Sequence, residues 1–274
     1  MDGIDLGPPM ATLRSLGAVT KDDSATGFDP VSRGILQLDE AEKGVHRFFT
    51  YCHAWAPFIS VQSCAELRQT PVLFLGICTV GMRFEGNNSL TSLLDQAVSR
   101  LLLRPSLTDV TLDSIRVLLL YAQWMPYTAE GNRYNEISAW AVLGLAVRYA
   151  QFLGLEASAL SPFQACSSSN PAAITGDHLA RIRVWYNLLT CDFNLMLTSG
   201  LPASLDPEAS AQVARRFGGH RAAQQPADLR VAGLVELVAL VHRAMRRGGD
   251  ASGRKMNAEG LHALNVLLDE WEGY

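Results

Sequence analysis

Asn135-Glu136-Ile137-Ser138-Ala139-Trp140-Ala141-Val142-Leu143-Gly144-Leu145-Ala146-Val147-Arg148-Tyr149-Ala150-Gln151-Phe152-Leu153 is the stretch on which the fold turns. Ile137, Trp140, Ala141, Leu145, Tyr149 and Phe152 recur at helical spacing, while Val142, Leu143, Ala146 and Val147 cover the other side. A helix apolar nearly all round has no face to offer water, so it is expected to be the most buried of its set. Glu136 and Arg148 are its only charges, and Gly154 stands where a left-handed C-cap belongs.

The same period runs outward in both directions. Val45, Phe48, Phe49, Cys52 and Ala56 form an apolar stripe that Pro57 ends. Thr70-Pro71 opens a helix with proline at its first position, and Val72 to Met82 is apolar all round and so central. Leu90, Leu93, Leu94, Ala97, Val98 and Leu101 make an amphipathic stripe opened by Asn88 or Ser89. Thr111 caps the next helix, with Asp113 in its first turn and Ile115, Leu118, Leu119 and Ala122 facing inward. A long helix is expected from about His178 to Thr198, stopped by Gly200-Leu201-Pro202. There Arg183, Asn187, Thr190 and Asn194 form a polar stripe opposite Ile182, Tyr186, Leu189, Phe193 and Met196. Val231 to Met245 and a last helix capped by Asn257 complete the series, and residues 156–176 and 211–226 are expected to be loops. No alternating β-type run competes. The expectation is all-α: a single multi-helix domain of about eight helices over 29–274, after an irregular N-terminal arm over 1–28.

Composition excludes several function classes. The chain has 274 residues, enough for a substantial core, with 48% hydrophobic and only 18% charged residues. Its net charge of −4 argues against direct nucleic-acid binding, which calls for a basic footprint. The five cysteines (Cys52, Cys64, Cys78, Cys166, Cys191) are odd in number, widely spaced and without a C-x-x-C, so neither a disulfide framework nor a zinc cluster is written here. Reduced and mostly buried thiols in an intracellular protein are the expectation. Residues 1–20 lack a secretory pattern, and the longest uncharged stretches fall short of a membrane span.

The chemical inventory is thin. There is no P-loop, G-x-G-x-x-G, G-x-S-x-G or H-E-x-x-H, and no two of the six histidines stand at metal-ligand helical spacing. No catalytic residue and no metal site are therefore nominated. Trp55, Trp124, Trp140, Trp185 and Trp271 are plain core or the walls of a pocket. Ligand sites in helical folds sit between helices, so a bound small molecule is expected between the 135–153 and 178–198 helices, lined by Trp140, Trp185, Asn187 and Asn194. Arg148 and Asp192 each interrupt an apolar helix, and a buried charge needs a partner, so an Arg148–Asp192 ion pair is expected. Backbone and capping groups are the alternative for each, with Arg133 or Arg183 as rivals for Asp192.

Asp29-Pro30-Val31-Ser32-Arg33-Gly34-Ile35-Leu36 is an extended turn feeding a helix that Asp39 caps, with Glu42 as its capping-box partner. With Phe48, Phe49, Cys52, Pro57 and Phe58 following in order, it resembles the opening of the regulatory, or middle homology, domain of fungal zinc-cluster transcription factors. Ser114-Ile115-Arg116-Val117-Leu118-Leu119-Leu120-Tyr121 with Trp124 is similar to a further helix of that family. Trp140 with Gly144-Leu145-Ala146-Val147-Arg148-Tyr149-Ala150 and Leu153-Gly154-Leu155 resembles its W-x-x-x-G-x-A-x-R-x-A-x-x-L-G-L signature. Arg181-Ile182-Arg183-Val184-Trp185, Asp192 and Gly200-Leu201-Pro202 resemble its R-x-R-x-W-W…D…G-R-P, except that Leu201 replaces the usual arginine. Order and spacing agree over about 29–202 and more loosely to 272.

The resemblance implies a nuclear regulatory or effector domain, not an enzyme. Its partners would be regulatory proteins or the transcription machinery, a small-molecule effector, or a second copy in a homodimer. It implies no cofactor in this chain, because zinc belongs to the six-cysteine DNA-reading module that this sequence lacks. Family domains usually continue past this chain's final helix, which fits a C-terminally truncated regulatory fragment or a divergent short protein. A non-catalytic helical scaffold of the same family and a small helical enzyme of another type are the alternatives.

Overall fold

The computed structural model describes residues 25–103, 105–124, 133–164, 174–224, 226–248 and 256–272. Of the expected arm, Ala25–Phe28 forms a 3-10 turn, and residues 1–24 lie outside the described residues. The Asp29 carboxylate then accepts the Val31 N–H at 3.0 Å, the Ser32 hydroxyl at 2.6 Å and Arg68 Nη2 at 2.9 Å, while Gly34 bends the chain at a φ of 68°. Burial pushes this carboxyl up, but the bonds from Ser32, Arg68 and Val31 outweigh it and hold it below its ordinary value.

Helix α1 (Leu38–Arg47) starts earlier than expected. Gln37 is its cap and Glu40 accepts the Gln37 N–H at 2.8 Å, whereas Asp39 sits in the first turn and pairs with Lys43 at 3.1 Å. One π turn (Phe48–Cys52) and one 3-10 turn (His53–Trp55) carry the stripe to Pro57. Ser63 caps the short α2 (Cys64–Leu67). Proline opens α3 (Pro71–Met82), in which every residue from Leu73 to Met82 is buried. It crosses α1 so closely that a Cβ on Gly81 would stand 1.9 Å from the Gly44 carbonyl oxygen.

Helices α4 (Thr91–Leu103) and α5 (Leu112–Trp124) follow, the latter capped by Thr111, whose hydroxyl accepts the Ser114 N–H at 3.2 Å. Next come α6 (Arg133–Phe152), α7 (Leu155–Gln164), α8 (Gly176–Ser199), α9 (Glu208–Gly218), α10 (Ala227–Gly248) and α11 (Ala258–Glu272). The Asn257 side chain caps α11 by accepting the Gly260 N–H at 2.8 Å. Neighbours pack as α1 on α3, α3 on α5, α5 on α6, both of these on α8, and α8 on α7 and α10. Helix α10 in turn carries α9 and α11.

The fold is all-α: 77% helical, in one domain, with eleven helices and no strand among the described residues. Two of the additional helices occupy stretches expected to be loops. Helix α7 carries Pro162 in its interior, which masks its pattern, yet Leu155, Ala159, Leu160 and Phe163 are all buried. Helix α9 buries Ser210, Val213, Ala214 and Phe217, a helical stripe whose first member is polar. The order of burial also differs from expectation. Helix α8 is enclosed at every residue from Ile182 to Thr190, whereas α6 leaves Ala141, Arg148 and Phe152 exposed. No single described helix is long and apolar enough to cross a membrane.

Candidate functional site

Helix α8 is built to hold polar groups in the interior. Arg183 is buried but not unpaired: Nε donates to Asp228 Oδ1 at 2.9 Å and Nη2 to Oδ2 at 2.7 Å. The two side chains are 7% and 0% exposed, and Asp228 also accepts the Gln224 N–H at 2.6 Å. A carboxylate in the first turn of α10 faces the positive end of the helix dipole, and the planar fork of arginine matches it in two bonds. This contact seats α10 on α8. One turn further along α8, Asn187 Nδ2 donates to the Arg183 carbonyl at 2.8 Å and the Thr190 hydroxyl to the Asn187 carbonyl at 3.1 Å.

Because α10 is seated there, a groove of about 610 Å³ opens between α5, α6, α8 and α10. Helix α8 contributes Asn187, Thr190, Cys191, Asn194, Leu195 and Thr198, successive turns of a single face. Gln123 and Trp124 enter from the end of α5, and Ala139 and Leu143 from α6. Val231 and Leu234 form the α10 wall, and Trp55 and Pro57 close one end. Arg230 is the one charged residue of the described lining. Its guanidinium lies 4.6 Å from the centre of the Trp55 ring and donates through Nη2 to the Ala54 carbonyl. Gln123 Nε2 donates to Cys191 Sγ at 2.7 Å, and burial pushes the Cys191 thiol up to about 11, so it is a neutral thiol and not a nucleophile near pH 7.

The structure brings together only half of the expected ligand lining. Asn187 and Asn194 lie in the groove, between the two helices nominated for a ligand. Trp140 does not, since its Nε1–H donates to the Pro202 carbonyl at 3.2 Å and holds the chain that leaves α8. Trp185 is buried on another side of α8, donating to the Ser210 hydroxyl at 2.8 Å beside a separate hollow of about 250 Å³. Ser210 also accepts the Tyr186 hydroxyl at its carbonyl, 2.9 Å away, so this one serine fastens α9 to α8.

The expected Arg148–Asp192 pair does not form. Arg148 is exposed and bonds back to the Gly144 carbonyl at 3.1 Å. Asp192 is buried and accepts the Ser204 and Leu205 N–H groups at 2.6 and 3.1 Å. Burial pushes its carboxyl up, with the two backbone bonds pulling the other way. A carboxylate two turns before a helix end reaches the chain that folds back, which supplies donors without a cation.

A second hollow, about 430 Å³, lies between α9, α10 and α11, and four of its charged side chains stand in opposite-charge pairs. Arg215 Nε meets Glu236 at 2.7 Å, Trp271 Nε1 meets the same carboxylate at 2.7 Å, and Arg243 Nε lies 3.3 Å from Glu208. Among the described residues no group of three or more His, Cys, Asp or Glu side chains is placed to hold a metal. Cys52, Cys64, Cys78 and Cys191 are free thiols, and Cys166 lies outside the described residues.

No family model matches the chain, and no solved structure matches it. A protein of Emericella nidulans named "Transcriptional activator of proteases prtT" is 27% identical over 258 residues. The match takes in 89% of this chain but only 35% of the length of that protein. Over most of its length the chain is thus similar to one part of a fungal transcriptional activator.

Proposed function

We propose that the chain is a regulatory region of a fungal-type transcription factor. It acts in the nucleus through contacts with other proteins and by sensing a small molecule, and it neither catalyses a reaction nor reads DNA itself. The observation that carries this reading is the similarity to a transcriptional activator along 89% of the chain. The all-α body, the net charge of −4 and the absence of nucleotide-binding and hydrolase motifs support it. Its partners are regulatory proteins or the transcription machinery, with a second copy of the chain as a further candidate. Zinc is assigned to a DNA-reading module, whose cysteine cluster this sequence does not contain.

The test is a fusion in fungal cells with the chain between a heterologous DNA-binding domain and a constitutive activation domain. Reporter output is compared with that of a flexible linker of equal length across nutrient conditions. The chain is expected to depress the output or to make it depend on nutrients. Output equal to that of the linker under every condition would overturn the reading.

A further inference from the structure

We propose that the groove between α5, α6, α8 and α10 takes a small amphipathic organic anion, a carboxylate carried on a flat apolar body, with its head at Arg230. The proposal rests on the regulatory reading above and names the ligand chemistry for it. The first support is charge. Arg230 is the one charged residue of the described lining, so the groove is cationic although the chain as a whole carries −4. No aspartate or glutamate forms an ion pair with Arg230 among the described residues, unlike Arg183, Arg215 and Arg243.

The second support is preorganisation. The Trp55 ring and the bond from Nη2 to the Ala54 carbonyl hold the guanidinium in place, and no protein acceptor takes its other N–H groups among the described residues. A guanidinium so held, with free donors, offers a carboxylate two parallel bonds. The Arg183–Asp228 contact adds to this, because it sets the first turn of α10 only two residues before Arg230.

The third support is the rest of the lining. Trp124, Leu143, Leu195 and Leu234 give the apolar body flat and aliphatic walls, and Asn194 and Thr198 leave room for a hydroxyl or amide further along α8. A volume of about 610 Å³ lies within the ordinary range for small-molecule sites.

The experiment titrates the full chain with 2-naphthoate and with 2-naphthamide, which share a body and differ in the charge of the head. Binding is read by calorimetry and by ligand-observed NMR at pH 7. Naphthoate is expected to bind the unaltered chain roughly tenfold more tightly, since a hydrogen bond to a charged group outweighs one to a neutral group by about that factor. Arg230→Gln should erase the difference while naphthamide binding persists, and Arg230→Lys, which keeps the charge but loses the fork, should leave part of it. Asn194→Trp, which fills the groove, should abolish binding of both, with helicity checked by circular dichroism for every variant. Equal binding of acid and amide to the unaltered chain, or a preference that survives Arg230→Gln, overturns the anionic assignment while leaving a groove ligand in place. Binding of neither overturns it too, and the reporter fusion then judges the regulatory reading separately.

Discussion

Arg183 and Asp228 are the residues whose loss should be felt most, because each neutralises the other where both are almost wholly shielded from solvent. Removing one partner leaves an uncompensated buried charge, so Asp228→Ala is expected to cost about 3–5 kcal/mol in urea unfolding. Replacing both by apolar residues of similar volume, Arg183→Met with Asp228→Leu, should cost less than either single change, and a double-mutant cycle checks this. Asp192 and Asp29 should respond to pH with opposite signs. The Asp192 carboxyl is raised, so the folded chain holds its proton more tightly than the unfolded chain does. Its contribution to stability therefore falls as pH rises from about the ordinary 3.8 to the raised value, and Asp192→Asn should remove that slope while keeping an acceptor for Ser204 and Leu205. The Asp29 carboxyl is lowered, so its contribution is present above 3.8 and is lost as pH falls through the depressed value. At this scale the sequence shows which side chains are charged but not where donors will converge. Asp192 was legible as a residue needing partners. That they are backbone groups of the returning chain was not, because a long-range cation and a nearby N–H satisfy the same need.

Helix contacts depend on small residues as much as on large ones. Gly44 and Gly81 let α1 and α3 cross with their backbones nearly touching, so Gly81→Ala has no room without moving one helix. It is expected to cost about 1–3 kcal/mol or more, the range for overpacking, measured as a shift in thermal unfolding. Gly34→Ala is unfavourable for a different reason, since nothing crowds that site and only its left-handed backbone resists a side chain. Helices α3, apolar all round, and α5, with its inward stripe, are readable because burial follows the apolar pattern there. Helices α7 and α9 were not, because an internal proline and an opening serine are loop signals when taken alone. The role of Ser210 becomes visible only when Trp185 and Tyr186 converge on it. Burial by helix was misjudged for a related reason. The polar stripe of α8 makes it look less apolar than α6, but Arg183, Asn187 and Thr190 are all satisfied internally.

For the molecule as a whole, the proposed reading and the net charge of −4 lead to an expectation about DNA. The isolated chain is expected to cause no sequence-specific retardation of DNA at physiological salt, and a specific retarded band would refute that. Half of the nominated lining lies in the groove: Asn187 and Asn194 are readable as members of the polar stripe of α8. Arg230 is not readable there, nor is its meeting with Trp55, one of five tryptophans read as core or pocket wall, because the two lie far apart in sequence. On the proposed reading, this groove is the place where a small molecule changes what the domain does. The direct measurement is the reporter fusion carrying Asn194→Trp, a replacement at an exposed position on the groove face of α8. With helicity unchanged, filling the groove should shift reporter output away from that of the unaltered chain and abolish its dependence on nutrients. An output that keeps the same level and the same nutrient dependence with the groove filled would contradict the account.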